Sequence, residues 1–414
     1  MRVSRPCLRF LVIGTCLLLQ LSSVHAQAEF EVLVAEAKYE QAIQSCQLAI
    51  EADQADDQAK FRLGVAQFLQ TIEKLGQSWH RHGHLDGFLT SMVPLLRLDT
   101  PENPRPAPIS YEQFRAIIQQ TLDGLQVSEA TLASVKSNAV FLELDLMQVG
   151  MDWEANGVAD PHDNLLGSFR QVISNRIPLD PARGFVIRFD AADVQWLRGY
   201  CHLLMAMCEL ALAYDQEDLW NVTARRVFSK AETPFEFLNE EPPHSADFDM
   251  NLILDAIAGI HQLRFPIREP ERMPRALTHV KQTIQLSRDM WKLVEAETDD
   301  QREWIPSPRQ KPPFPGAEVS REMIVGWHQF LDEAEEILDG AKLVPFWRGT
   351  NPRRGVNLKR VFVEPQDFDL VLWFHGSGAE KYLQEDLPVT APATWDRFER
   401  IFRGEFIGFA IWFN

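Results

Sequence analysis

Ala192–Tyr214 reads ADVQWLRGYCHLLMAMCELALAY, and its period decides the fold class. Val194, Leu197, Cys201, Leu204, Met205, Cys208, Ala211 and Leu212 recur at spacings of three and four. A backbone with 3.6 residues per turn gathers these positions into one apolar stripe, as a core-facing helix requires. Asp190 stands just ahead as an N-cap, and Asp193 sets negative charge against the unpaired amides of the first turn. The same period predicts helices over Tyr111–Leu125, Met250–Leu263, Pro274–Glu297 and Val319–Leu338, with shorter ones over Leu146–Met151 and Leu165–Ser174. The expected fold class is mainly α and multi-helical.

Two proline clusters interrupt this pattern, Pro101–Pro108 (PENPRPAP) and Pro306–Pro315 (PSPRQKPPFP). Proline removes an amide donor and clashes with the preceding turn, so neither stretch continues a helix. The expected organisation is a helical region at 27–99, a helical middle at 109–300, a proline-rich linker at 301–317 and a C-terminal portion at 318–414. That last portion begins with a helix and then changes character. Arg360–Val363, Leu370–Phe374 and Ile407–Phe413 are β-branched or aromatic runs of strand length, which predicts a small α+β unit.

Residues 1–26 read as a cleaved export signal. Arg2, Arg5 and Arg9 precede an apolar run over Leu11–Leu21, and Val24-His25-Ala26 supplies the small residues of a cleavage site. The protein is therefore expected in the periplasm or outside the cell, with no membrane span after cleavage. Of 41 basic side chains three leave with the signal, so 38 face 59 acidic ones and the formal charge moves from −18 to −21. Such a field disfavours nucleic acid and anionic lipid as partners. Cys46, Cys201 and Cys208 remain, an odd number that argues against a disulfide framework.

Tyr39–Phe68 resembles the tetratricopeptide-repeat family. Ala42, Cys46 and Ala49 fall on one face of a first helix, and Leu63-Gly64 and Phe68 follow at the spacing of the family's next helix. The resemblance implies paired helices in close contact at Gly64 and a protein- or peptide-binding surface. It departs from the family at Gln54, where proline is usual, and at Cys46, where an aromatic is usual.

Asp152–Asp163 reads DWEANGVADPHD. Asp152, Glu154, Asn156, Asp160 and Asp163 place oxygen side chains at positions one, three, five, nine and twelve, with Gly157 sixth. Alternating side chains of a tight loop can converge on a hard cation, with the carbonyl of Val158 as a further ligand. The stretch resembles the EF-hand loop in its dockerin variant, which ends in aspartate, and the resemblance implies a structural Ca2+. The alternative is a helix-to-helix turn built on Asn156-Gly157.

Other chemistry-bearing residues are scattered. His80, His82 and His84 lie within five residues, but Gly83 interrupts the helix that would align two of them on zinc. His375-Gly376-Ser377-Gly378 lacks the outer glycines of a nucleophile turn. Asp190, Asp193, His202 and Asp215 are plausible ligands that linear spacing cannot bring together, and most of the tryptophans are expected in the core. No catalytic signature stands out. The favoured expectation is an exported binding or scaffold protein of the cell envelope, with a protein or peptide partner. The alternative is a metal-dependent hydrolase using dispersed Asp, Glu and His.

Overall fold

The computed structural model describes residues 27–87, 90, 93–160, 163–168, 184–239, 250–402, 406, 409 and 410. The expected export signal and the second half of the Leu165–Ser174 helix lie outside the described residues. Among these residues the long helices are α1 (Tyr39–Ala52), α2 (Asp57–Arg81), α3 (Tyr111–Ala133), α4 (Ala191–Ala213), α5 (Met250–His261), α6 (Arg272–Ala296) and α7 (Arg321–Leu338). Mainly α is the fold class, as the periodicity predicted.

Helix starts follow the side-chain chemistry. Asp56 accepts the Ala59 amide, and Ser320 accepts that of Met323. Ser110 with Gln113, and Asp190 with Asp193, form reciprocal capping boxes that satisfy amides with no partner inside the helix. Packing is sequential: α1 on α2, α2 on α3, α3 on α4, and α4 most extensively on α6. Gly64 makes one of these contacts possible, since a Cβ there would stand 2.5 Å from Leu132 Cγ. Ser128 Oγ donates to the Gly64 carbonyl at the same crossing (2.8 Å). In α1, Ala42 and Cys46 are buried as expected, but Ala49 is exposed and makes no helix contact of the expected kind.

One cluster of buried side chains runs from Phe30 through Trp79, Leu204 and Trp291 to Phe409. A second, small cluster centres on Val356, Ala379 and Tyr382. Cys46, Cys201 and Cys208 are free and buried. Glu209, only 2% exposed, accepts from both Arg272 and Arg275, which ties α4 to α6 by a buried ionic contact. No described helix is long and apolar enough to cross a membrane.

The strands lie elsewhere than the runs of β-formers suggested. In the middle of the chain β1 (Leu142–Asp145) pairs antiparallel with β2 (Val186–Phe189), Leu142 opposite Phe189. Toward the C-terminus β3 (Arg264–Phe265) pairs with β6 (Phe368–Asp369), and β4 (Val344–Pro345), β5 (Gly355–Val356) and β7 (Leu383–Gln384) form a three-stranded sheet. This is a small mixed portion, but Arg360–Val363 and Leu370–Phe374 are helical within it, in Leu358–Val363 and Leu370–His375. Caps override propensity there. Asn357 accepts the Arg360 amide, Asp369 accepts the Leu372 amide, and Gly376 at φ +98° ends the second helix in the left-handed conformation. Residues 409 and 410 are also helical, and the rest of the expected Ile407–Phe413 strand lies outside the described residues. Leu146–Met151 is irregular rather than helical, because Gly150 bridges to Asn164 and leads the chain into the carboxylate loop.

Candidate functional site

The carboxylate loop is anchored on α1 and α2. Tyr39 donates to the Gly150 carbonyl (2.6 Å), Glu73 accepts the Asp152 amide (2.9 Å), and Gln77 donates to the Asp152 carbonyl (2.8 Å). Trp153 is buried over Gly76, where a Cβ would meet its ring at 2.1 Å. Burial pushes the Glu73 carboxyl up to about 7. Within the loop, the Asp152 carboxylate accepts the amides of Asn156 (3.1 Å) and Gly157 (2.7 Å). Asn156 Nδ2 donates to Glu154, and Asn156 Oδ1 accepts the Val158 amide. Gly157 takes φ +86°, the turn that its sixth position called for. Asp163 donates its amide to the Asp160 carbonyl. The first, third and fifth side chains of the loop are thus brought together, joined by hydrogen bonds that also suit a turn without an ion. Among the described residues, three carboxylates do not converge there.

Three carboxyls converge instead at the N-terminal end of α4. Among the described residues, Asp190, Glu297 and Glu303 are the group whose ligand oxygens lie within 4.8 Å of one another. Asp190 is the N-cap of α4, Glu297 the C-cap of α6, and Glu303 sits in the loop beyond, so the antiparallel packing of two helices assembles the trio. Asp193 lies against it, wholly buried. Burial, then the charge of Asp190, holds the Asp193 carboxyl well above its ordinary value. Burial and the charge of Asp190 push Glu297 up to about 8, and burial raises Asp190 and Glu303 as well. Oxygen-only donors of this kind suit a hard divalent cation.

Among the described residues the histidines form no metal centre. His80 Nδ1 lies 2.9 Å from the Pro101 carbonyl and His82 Nδ1 3.2 Å from that of Ala107. His84 stacks on Trp79, and burial pushes it down to about 4. His202 meets not Asp193 but His279 of α6, Nδ1 to Nδ1 at 2.8 Å, and Glu129 of α3 lies 3.5 Å from its Nε2. Asp215 caps the Glu217 amide beyond the far end of α4. His375 and Ser377 are exposed around the Gly376 helix stop.

A third feature is the groove of about 410 Å³ between α2 and α3. Gln67, Gln70 and Lys74 line one wall, Gln120 and Asp123 the other. The helices touch where Gly124 admits Thr71, whose Oγ1 would stand 2.5 Å from an added Cβ. The hydroxyls of Thr71 and Thr121 are turned back to their own helix carbonyls. Gln67 Oε1 is buried and has no hydrogen-bond partner. A separate apolar surface joins α5, where Leu254, Ile257 and Ile260 are each more than half exposed, to the Leu370–His375 helix with Val371 and Phe374. The two meet where the Leu370 amide donates to the Leu263 carbonyl.

No protein family, curated protein or solved structure matches this chain. Its chemistry is read from its own side chains.

Proposed function

We propose that this chain is an exported, non-catalytic binding or scaffold protein of the cell envelope whose α2–α3 groove holds an extended peptide segment of a partner protein. The observation that carries this reading is the carboxamide lining of the groove, with Gln67 Oε1 left without a partner. A carboxamide offers a donor and an acceptor side by side, matching a peptide backbone whatever its side chains. A buried acceptor without a partner costs about 1–3 kcal/mol, and a Gln67 side chain turned into the groove would meet a backbone amide of a bound peptide and remove that cost. The tetratricopeptide resemblance of Tyr39–Phe68 supports the same use, because α2 supplies both Gly64 and one groove wall. The test is selection of residues 27–414 on an array of random peptides. Selected peptides should bind Gln67→Leu and Gln120→Leu at least tenfold more weakly. An array with no selectable binder, or unchanged affinity in both variants, would overturn the reading.

A metal-dependent hydrolase is the second reading, favoured by the convergence of Asp190, Glu297 and Glu303. It requires tight Mn2+ or Ca2+ binding that Glu297→Gln abolishes, together with turnover of a model ester or peptide. The 152–163 loop is proposed as a separate structural Ca2+ site, supported by the left-handed Gly157 and the inward-turned Asp152 carboxylate. Its ligands would be Asp152, Glu154, Asn156, Asp160, Asp163 and the carbonyl of Val158.

A further inference from the structure

Behind the carboxyl trio the described residues leave space in the core. A cavity of about 180 Å³ lies between α2, α4, the β1–β2 pair and the loop carrying Trp304. Its floor is aliphatic, with Leu69, Leu144 and Leu197 contributed by three different elements. Its rim is a chain of touching rings. Phe68 meets Tyr200 edge-on at 6.2 Å, Tyr200 stacks on Trp196 at 5.5 Å, Trp196 meets Trp304 at 5.6 Å, and Trp304 meets Phe189 at 5.8 Å. Four of these five rings are half-buried, so the collar reaches the surface while the floor does not. Asp193 is the one carboxylic acid among the lining residues, and its Oδ2 already accepts the Asp190 amide (2.9 Å).

We infer that this cavity is a binding site for one small, uncharged aromatic or similarly compact apolar molecule. Three physical points carry the inference. A void lined by hydrocarbon offers water no partners, and an apolar cavity of about 150 Å³ in another protein stays dry and takes up benzene. Walls that face empty space lose the dispersion contacts that a close-packed interior makes, and a ligand restores them. Rings set edge-on and offset around the rim present both faces and edges to an incoming aromatic ring. The site is independent of the α2–α3 groove: Leu69 and Phe68 face it from α2, whereas Gln67, Gln70 and Lys74 face the groove.

Benzene and indole are the probes. In methyl-resolved NMR of residues 27–414, either probe should produce saturable ring-current shifts at Leu69, Leu144 and Leu197, and both should raise the melting temperature. Filling the floor with Leu69→Phe or, from another element, Leu144→Phe should weaken binding at least tenfold in whichever variant folds. Benzylammonium, of similar size but charged, should bind at least tenfold more weakly than benzene. Absent shifts, shifts confined to other methyls, equal binding by a folded filler variant, or preference for the ammonium would each overturn the inference. Peptide binding at the groove is unaffected by any of these outcomes.

Discussion

Burial of Glu297 has a pH consequence for stability. The carboxyl's ordinary value is 4.5 and its folded value about 8. Between the two, the folded chain keeps a proton that the unfolded chain has released, so stability falls as pH rises through that window and levels off above it. In chelator-treated protein, Glu297→Gln should therefore raise the melting temperature more at pH 8 than at pH 5; an equal effect at both would contradict the burial argument. Asp152→Ala separates the other acidic site: added Ca2+ should raise the melting temperature of the parent chain and leave this variant unmoved. Glu209→Ala removes the buried carboxylate that Arg272 and Arg275 share, while Arg272 keeps Glu269, and should cost about 1–3 kcal/mol in urea unfolding. Only half of the carboxyl trio's setting was legible in the sequence. Asp190 and Asp193 declare themselves as helix-start residues, but Glu297 and Glu303 reach them only through the packing of α4 on α6, which spacing along the chain does not encode. The same holds for the pairing of His202 with His279.

Helices with a sustained apolar period were readable to within a residue or two at most ends, α4 and α6 above all, because burial of the stripe and the caps agree. Short segments were not. Leu370–Phe374 has the composition of a strand, yet an Asp cap at one end and a left-handed glycine at the other select one and a half helical turns. Gly64 was legible as a contact residue, since no other side chain fits against Leu132. Gly64→Ala should cost about 1–3 kcal/mol by overpacking the α2–α3 crossing, read as a shift of the urea midpoint with an unchanged slope. Ser110→Ala removes one capping bond from α3 and should cost about 1 kcal/mol. An effect of Gly64→Ala no larger than that of an exposed substitution would mean that α2 and α3 are not in this contact, and the groove between them would go with it.

The molecule as a whole combines a strong negative charge with a helical array whose surface offers a glutamine-lined groove and a separate apolar face. Among the described residues, His80, His82, His84, His202 and His279 meet carbonyls, an aromatic ring or one another, and the carboxyls that converge have no histidine beside them. Peptide binding at α2 and α3 is the central claim. Its most direct test is amide hydrogen exchange of residues 27–414 with and without an array-selected peptide. Protection confined to 67–78 and 117–127, with the peptide recovered intact, is the predicted result. Protection over 250–261 and 370–375 instead, or recovery of a cleaved peptide, would contradict it.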